Sequence, residues 1–289
     1  MAMPMPNPTN PPLPLLQYQV LSFDVYGTLI EYKAHVLDAF QPLLSRLPPS
    51  SPYLNPEPLS STIPDSATVG SIEFLKLFQR QEDAIKLEKP VKRFDVILQE
   101  IWRRVAKELN VDTSEDEAQA FGSEGVIASW PTFSGTLDAL RTLSRYFKLV
   151  ALSNIDRYAW EITASSGASG LGEVQWWKVF TAEDFGSDVS RADDAKLETL
   201  IRYCAEQGIQ GEGILHVAQS LGHDQAPAKR VGLSSVWLVG DGPRWGKEAE
   251  SRIALEREVV GYAWRFQDLR GFAEEVARVA EAEKNRGTG

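Results

Sequence analysis

From Trp130-Pro131 onward the chain alternates short apolar runs with helical stretches. KLVALSN at 148–154, WKVFTAED at 177–184, GILHVAQS at 213–220 and SSVWLVG at 234–240 are brief and apolar, and each ends on or near polar residues. Amphipathic runs at 136–146, 156–165, 193–207 and 224–231 separate them. Apolar strands alternating with helices predict a parallel sheet covered on both faces and joined by right-handed crossovers. The fold class is therefore α/β. One more run of this kind, YQVLSFD at 18–24, stands alone far upstream and leads into the loop YGTLI. It is expected to join the same sheet.

The residues between are different. Residues 34–46 read as helical. Residues 71–109 carry two helical patterns split near Pro90, and 114–121 suggest a third helix. In the second pattern Phe94, Ile97, Leu98, Ile101, Val105 and Leu109 recur at helical spacing. A Pro- and Ser-rich segment at about 45–70 reads as a mobile insertion without regular structure. The expected organisation is an α/β core of residues 15–33 and 130–289, interrupted by an inserted helical domain at 34–129. Residues 1–14, rich in proline, read as a disordered arm.

Charge and composition exclude some classes. Forty acidic against thirty basic residues give a net charge of −10, which argues against nucleic acid or an anionic membrane as partner. No apolar run is long enough to cross a bilayer, and the N-terminus lacks the features of a secretory signal. The single Cys204 cannot form an internal disulfide. A cytoplasmic protein acting on a small molecule is expected, with a homodimer allowed for. The glycine-rich GASGLG at 167–172 does not follow a strand in the nucleotide-binding manner, and no GxxxxGK[ST] loop is present. No cofactor and no metal are expected.

In open α/β sheets ligands sit beyond the carboxyl ends of the strands. The expected strands end on Asp24, on Ser153 and Asn154, near Glu183 and Asp184, and on Gln219 and Ser220, with His223 and Asp224 shortly after. Such residues also cap helices and start turns, and Asp156, Glu183 and Asp184 read first in that way. His216, inside a strand, reads as a core residue.

Four segments carry a family resemblance. Phe23-Asp24-Val25-Tyr26-Gly27-Thr28-Leu29 resembles the first motif of the haloacid dehalogenase superfamily, closest to its 2-haloacid dehalogenase branch. Leu152-Ser153-Asn154 resembles the second motif. HVAQSLGHDQAPAKRVGL at 216–233 is similar to the fourth motif of fungal dehalogenase-like sequences, and WPTFSGTLDALRTL at 130–143 to the segment that re-enters the core. The resemblance implies a Rossmann-like core with a helical cap, and a hydrolase.

It also implies roles. Asp24 would be the nucleophile, oriented by Thr28, with Ser153 and Asn154 binding an oxygen of the substrate. Phosphatases of the superfamily carry an acid at the position of Tyr26, and an acid of their metal site where Gln219 stands. A magnesium-dependent phosphatase is therefore disfavoured. The dehalogenase Lys-Pro is absent, which leaves Arg191 and Lys196 as alternative cations. Leu221 replaces the dehalogenase Asn before Asp224. His223 and Asp224 complete the expected catalytic set. Tyr26, Arg80, Glu82, Trp130 and Gln219 are expected to contact the substrate. The leading expectation is metal-free attack by Asp24, as in 2-haloacid dehalogenation. Chemistry on an epoxide or carbonyl and a non-catalytic binding module remain as alternatives.

Overall fold

The computed structural model describes residues 8, 10–59, 67–88, 92–185, 192–240, 255 and 259–287. Its sheet comprises β1 (Val20–Phe23), β2 (Lys148–Leu152), β3 (Lys178–Phe180), β4 (Ile214–Ala218), β5 (Ser234–Leu238) and β6 (Trp264–Phe266). The spatial order is β3-β2-β1-β4-β5-β6, and every neighbouring pair is parallel. The fold is thus the expected α/β class. From the central pair β1 and β4 the strands run outward in both directions. Crossovers on the two sides leave a crevice at the carboxyl ends of this pair.

The pleat assigns each central residue to a face. Leu21, Phe23, Leu215 and Val217 pack toward α7 (Thr136–Leu143) and α11 (Leu269–Gly287). Val20 and Ile214 pack on the other face, in one cluster with Leu197, Leu200 and Cys204 of α9 (Ala192–Glu206) and Ala228 of α10 (Ala226–Val231). Cys204 is fully buried there.

Between β1 and β2 the chain is helical: α1 (Lys33–Ala39), α2 (Gln41–Leu44), α3 (Val69–Lys86), α4 (Phe94–Leu109), α5 (Glu115–Phe121) and α6 (Glu124–Ser129). The first expected helix is broken at Phe40, because Pro42 has no N–H to continue it. Phe40 instead becomes the centre of this layer. Its ring lies 4.7–5.0 Å, centroid to centroid, from Phe74, Trp102 and Phe121. The apolar face of α4 is buried as its spacing predicts, apart from a half-buried Leu109.

The chain leaves and re-enters the sheet layer along one path. Glu31 donates to the Pro131 carbonyl (2.8 Å), and Phe133 to the Leu29 carbonyl (3.0 Å). Asp156 adds a second tie. One carboxylate oxygen caps α8 (Arg157–Ser165) by accepting from the Ala159 N–H at 2.9 Å. The other accepts from the Phe94 N–H at the start of α4.

Two sequence expectations need correction. Residues 45–59 and 67–70 are not free of structure. Pro52–Leu54 forms a 3-10 turn, Pro58 and Thr68 form a bridge, and Gly70 lies so close to Tyr53 that a Cβ would sit 2.5 Å from its carbonyl oxygen. The arm is also shorter than expected. Asn10 donates to the Gly232 carbonyl (2.7 Å) and Leu13 N–H to the Tyr18 hydroxyl (3.1 Å), so residues 10–14 lie on the core. No helix among the described residues is long and apolar enough to cross a membrane.

Candidate active site

Asp24 is the first residue beyond β1. The loop after it turns tightly around the Val25 carbonyl, which accepts from Thr28, Leu29 and Ile30 N–H (2.8–3.2 Å). Gly27 takes φ +89° in this turn, a conformation suited to glycine. The turn brings the Thr28 hydroxyl back to donate to Asp24 Oδ2 at 2.7 Å. Thr28 Oγ1 in turn accepts from Gln219 N–H at 3.0 Å, which joins the ends of β1 and β4.

Lys196 of α9 has no exposed surface. Its Nζ is 2.7 Å from Oδ1 of Asp224, which is equally buried. Asp224 belongs to a single π-helical turn, Leu221–Gln225, that carries the chain from β4 into α10. Burial alone would raise the Asp224 carboxyl, but Lys196 and His216 hold it well below its ordinary range. Burial likewise works against the Lys196 ammonium, yet Asp224, Asp24 and Asp193 together raise its pKa. Asp24 is pushed up to about 7, first by burial and then by the charge of Asp224. Lys196 and the Thr28 hydrogen bond pull the other way.

Asn154, just beyond β2, donates from Nδ2 to Asp193 Oδ1 at 3.1 Å. Since a carboxylate only accepts, this contact fixes the amide orientation. The Asn154 Oδ1 is buried without a partner. Asp193 also meets His223, whose Nδ1 lies 2.9 Å from Oδ2. That hydrogen bond raises the His223 pKa against the opposing effect of burial. Ser153 is buried, and its hydroxyl accepts from Ile155 N–H at 3.4 Å.

Of the expected substrate contacts, Tyr26, Trp130 and Glu82 stand on the inner side. The Tyr26 ring lies 5.6 Å from both Trp130 and Phe94 and 6.3 Å from Tyr32. Its hydroxyl is hydrogen-bonded to Thr163, and burial raises its pKa. Trp130 is a buried wall. Glu82 is buried on α3 and paired with Lys86 at 2.7 Å. With Asp24 it adds to burial in raising the pKa of Tyr32. The Gln219 side chain lies against Gly27 and Gly240.

Arg80 is the exception. Two residues before Glu82, it projects from the far side of α3. Its exposed guanidinium is paired with Glu108 of α4, so it is corrected from a substrate contact to a surface ion pair. Arg191 lies outside the described residues. Sequence reasoning also missed three members of the site: Ser22, Asp193 and the role of His216. His216 is fully buried, with Nδ1 2.9 Å from Ser22 Oγ and Nε2 3.1 Å from Asp224 Oδ1. The available signal was a histidine within an apolar strand, where both ring nitrogens demand partners.

No family model matches this chain, and no curated protein matches it. Solved structures do. One L-2-haloacid dehalogenase superposes with a TM-score of 0.62 at 19% identity, over 90% of this chain and 99% of that one. The L-2-haloacid dehalogenase from Xanthobacter autotrophicus gives 0.60 at 13% identity, over 90% and 98%. The HAD-hydrolase YfnB from Bacillus subtilis, described bound to magnesium, gives 0.59 at 14% identity, over 90% and 99%. The chain has the fold of the haloacid dehalogenase superfamily, of the 2-haloacid dehalogenase type.

Proposed function

We propose that this chain is a hydrolase of the haloacid dehalogenase superfamily in which Asp24 attacks a small organic substrate. The observation that carries the reading is Asp24 at the end of β1, oriented by the Thr28 hydroxyl and lying in the field of a fully buried cation, Lys196. In a 2-haloacid, an Asp24 oxygen forms a bond to the halogen-bearing carbon as the carbon–halogen bond breaks. The halide leaves with the bonding pair and needs no proton. Water then cleaves the Asp24 ester, returning the carboxylate and releasing the hydroxy acid and a proton. Lys196 holds the ionised form of Asp24, and Ser153 and Asn154 stand where a substrate oxygen would be received. The helices from Lys33 to Ser129 act as the cap and bring Phe94 against Tyr26 and Trp130, the aromatic side chains that flank them in the chain.

The donor set does not suit a divalent metal between Asp24 and Asp224. The Lys196 ammonium already lies 2.7 Å from Asp224, and a second cation there would be repelled. Tyr26 in place of an acid further disfavours phosphate esters.

A second reading has its own support. With its pKa near 7, Asp24 is partly protonated at neutral pH and could donate to an epoxide or carbonyl oxygen. The test is halide release from racemic 2-chloropropionate in chelator-treated buffer, with Asp24→Asn as control. Release lost in the variant supports the leading reading. Release that survives it refutes the role of Asp24. With no release, turnover of a small epoxide that also depends on Asp24 favours the second reading.

A further inference from the structure

We infer that His216 is a positioning residue for the nucleophile, acting through Asp224 and Lys196. The inference rests on the proposed role of Asp24. Its basis is a buried chain of contacts from Ser22 through His216 and Asp224 to Lys196, whose charge in turn acts on Asp24. Ser22 and His216 are register partners across β1 and β4, so strand pairing alone sets them side by side. Both sit on the face covered by α9. His216 Nε2 lies 3.1 Å from Asp224 Oδ1, the same oxygen that meets Lys196 Nζ at 2.7 Å. All four side chains are essentially without exposed surface.

The chemistry of the donors orders this chain. Asp224 is ionised and can only accept, so His216 carries a hydrogen on Nε2 and gives it to Asp224. The Nδ1 on the other side of the ring is hydrogen-bonded to the Ser22 hydroxyl at 2.9 Å. Asp224 Oδ1 is therefore shared by two donors. Each hydrogen bond from His216 reduces the demand of Asp224 on Lys196 and leaves more of the ammonium's field for Asp24. Without His216, Lys196 is drawn toward Asp224, and the ionised form of Asp24 loses support. The other groups facing this cluster are Thr28 and Tyr32 beside Asp24, and Asp193 beside Lys196. None of them donates to Asp224 in place of His216 among the described contacts.

The test uses the full chain and bromoacetate as probe. Esterification of Asp24 is followed from pH 5 to 9 by bromide release and by peptide mass spectrometry of acid-quenched samples, with Asp24→Asn as the blank. In the wild type the labelling rate rises with pH, with a midpoint near 7. His216→Phe removes the donor, and the midpoint is expected to rise by about one pH unit, a roughly tenfold slower reaction below it. His216→Gln keeps an N–H near the same place and is expected to stay within a few tenths of the wild type. Because His216→Phe could fail to fold, Ser22→Ala serves as a second variant. It frees the ring from its second anchor and is expected to shift the midpoint in the same direction by less. A purely structural role would lower the urea midpoint of His216→Phe and leave the pH midpoint in place. That outcome overturns the inference, as does a Gln variant displaced as far as Phe or an unmoved Ser22→Ala. Neither an Asp24 adduct nor Asp24-dependent bromide release in the wild type at any pH overturns the nucleophile reading, and this inference with it.

Discussion

Asp24→Asn should make the protein more stable in alkaline buffer while abolishing its chemistry. The folded state lifts the Asp24 carboxyl from its ordinary 3.8 to about 7. Between those values the folded chain keeps a proton that the unfolded chain has released. Stability therefore falls as pH rises through this window, and the whole loss is present above about 7. Each pH unit is worth ~1.4 kcal/mol, so the full loss is about 4 kcal/mol. Roughly two of those units lie above pH 5, so about 3 kcal/mol develops between pH 5 and pH 8.5. Asn keeps the shape of the side chain and has no such dependence. Urea unfolding of both proteins at the two pH values gives the comparison directly. The variant's advantage should be larger at pH 8.5 than at pH 5 by about 3 kcal/mol. A difference between the two pH values below about 1 kcal/mol would refute the picture of a half-buried, destabilised carboxylate.

Three other substitutions probe separate parts of the argument. Lys196→Met should cost about 3–5 kcal/mol in urea unfolding, because it leaves Asp224 buried without its cation, and should stop Asp24 labelling at neutral pH. Arg80→Ala should leave stability within about 0.5 kcal/mol and KM unchanged, because its pair with Glu108 is exposed; a KM raised several-fold would return Arg80 to the site. His223→Gln should lower stability slightly, by under about 1 kcal/mol, below the ordinary histidine pKa of 6.5. Because Asp193 raises the His223 pKa, that cost should vanish as pH rises through the raised value, and urea midpoints at pH 5.5 and 9 check it.

The core of this fold is legible because its strands are short, apolar and punctuated. β1, β2, β4 and β5 fall inside the segments that patterning marks. β6 does not, because Trp264–Phe266 is three residues at a sheet edge and buries too little to show a period. α11 is missed for another reason. Its charged C-terminal half masks the stripe of Leu269, Phe272, Ala273 and Val276 that packs on the sheet. At the site, Asp24, Thr28 and Asp224 are readable because they lie in one motif each. The choice between Arg191 and Lys196 is not readable, since it depends on which turn of α9 meets Asp224. Lys196 shares a helical face with Leu200 and Cys204, and that face is the buried one. Ser22 and His216 are invisible as a pair because 194 residues separate them and only strand register joins them.

That same face of α9 has a practical consequence. Lys196, Leu200 and Cys204 follow one another at four-residue steps, so they are covered or uncovered together. Cys204 is the only thiol in the chain, and burial pushes it up to about 11, which keeps it inert in the closed state. A thiol reagent reaches it only when α9 lifts from the sheet. The modification rate of the native protein thus acts as a clock for how often Lys196 is withdrawn, read without any substrate and without an introduced label.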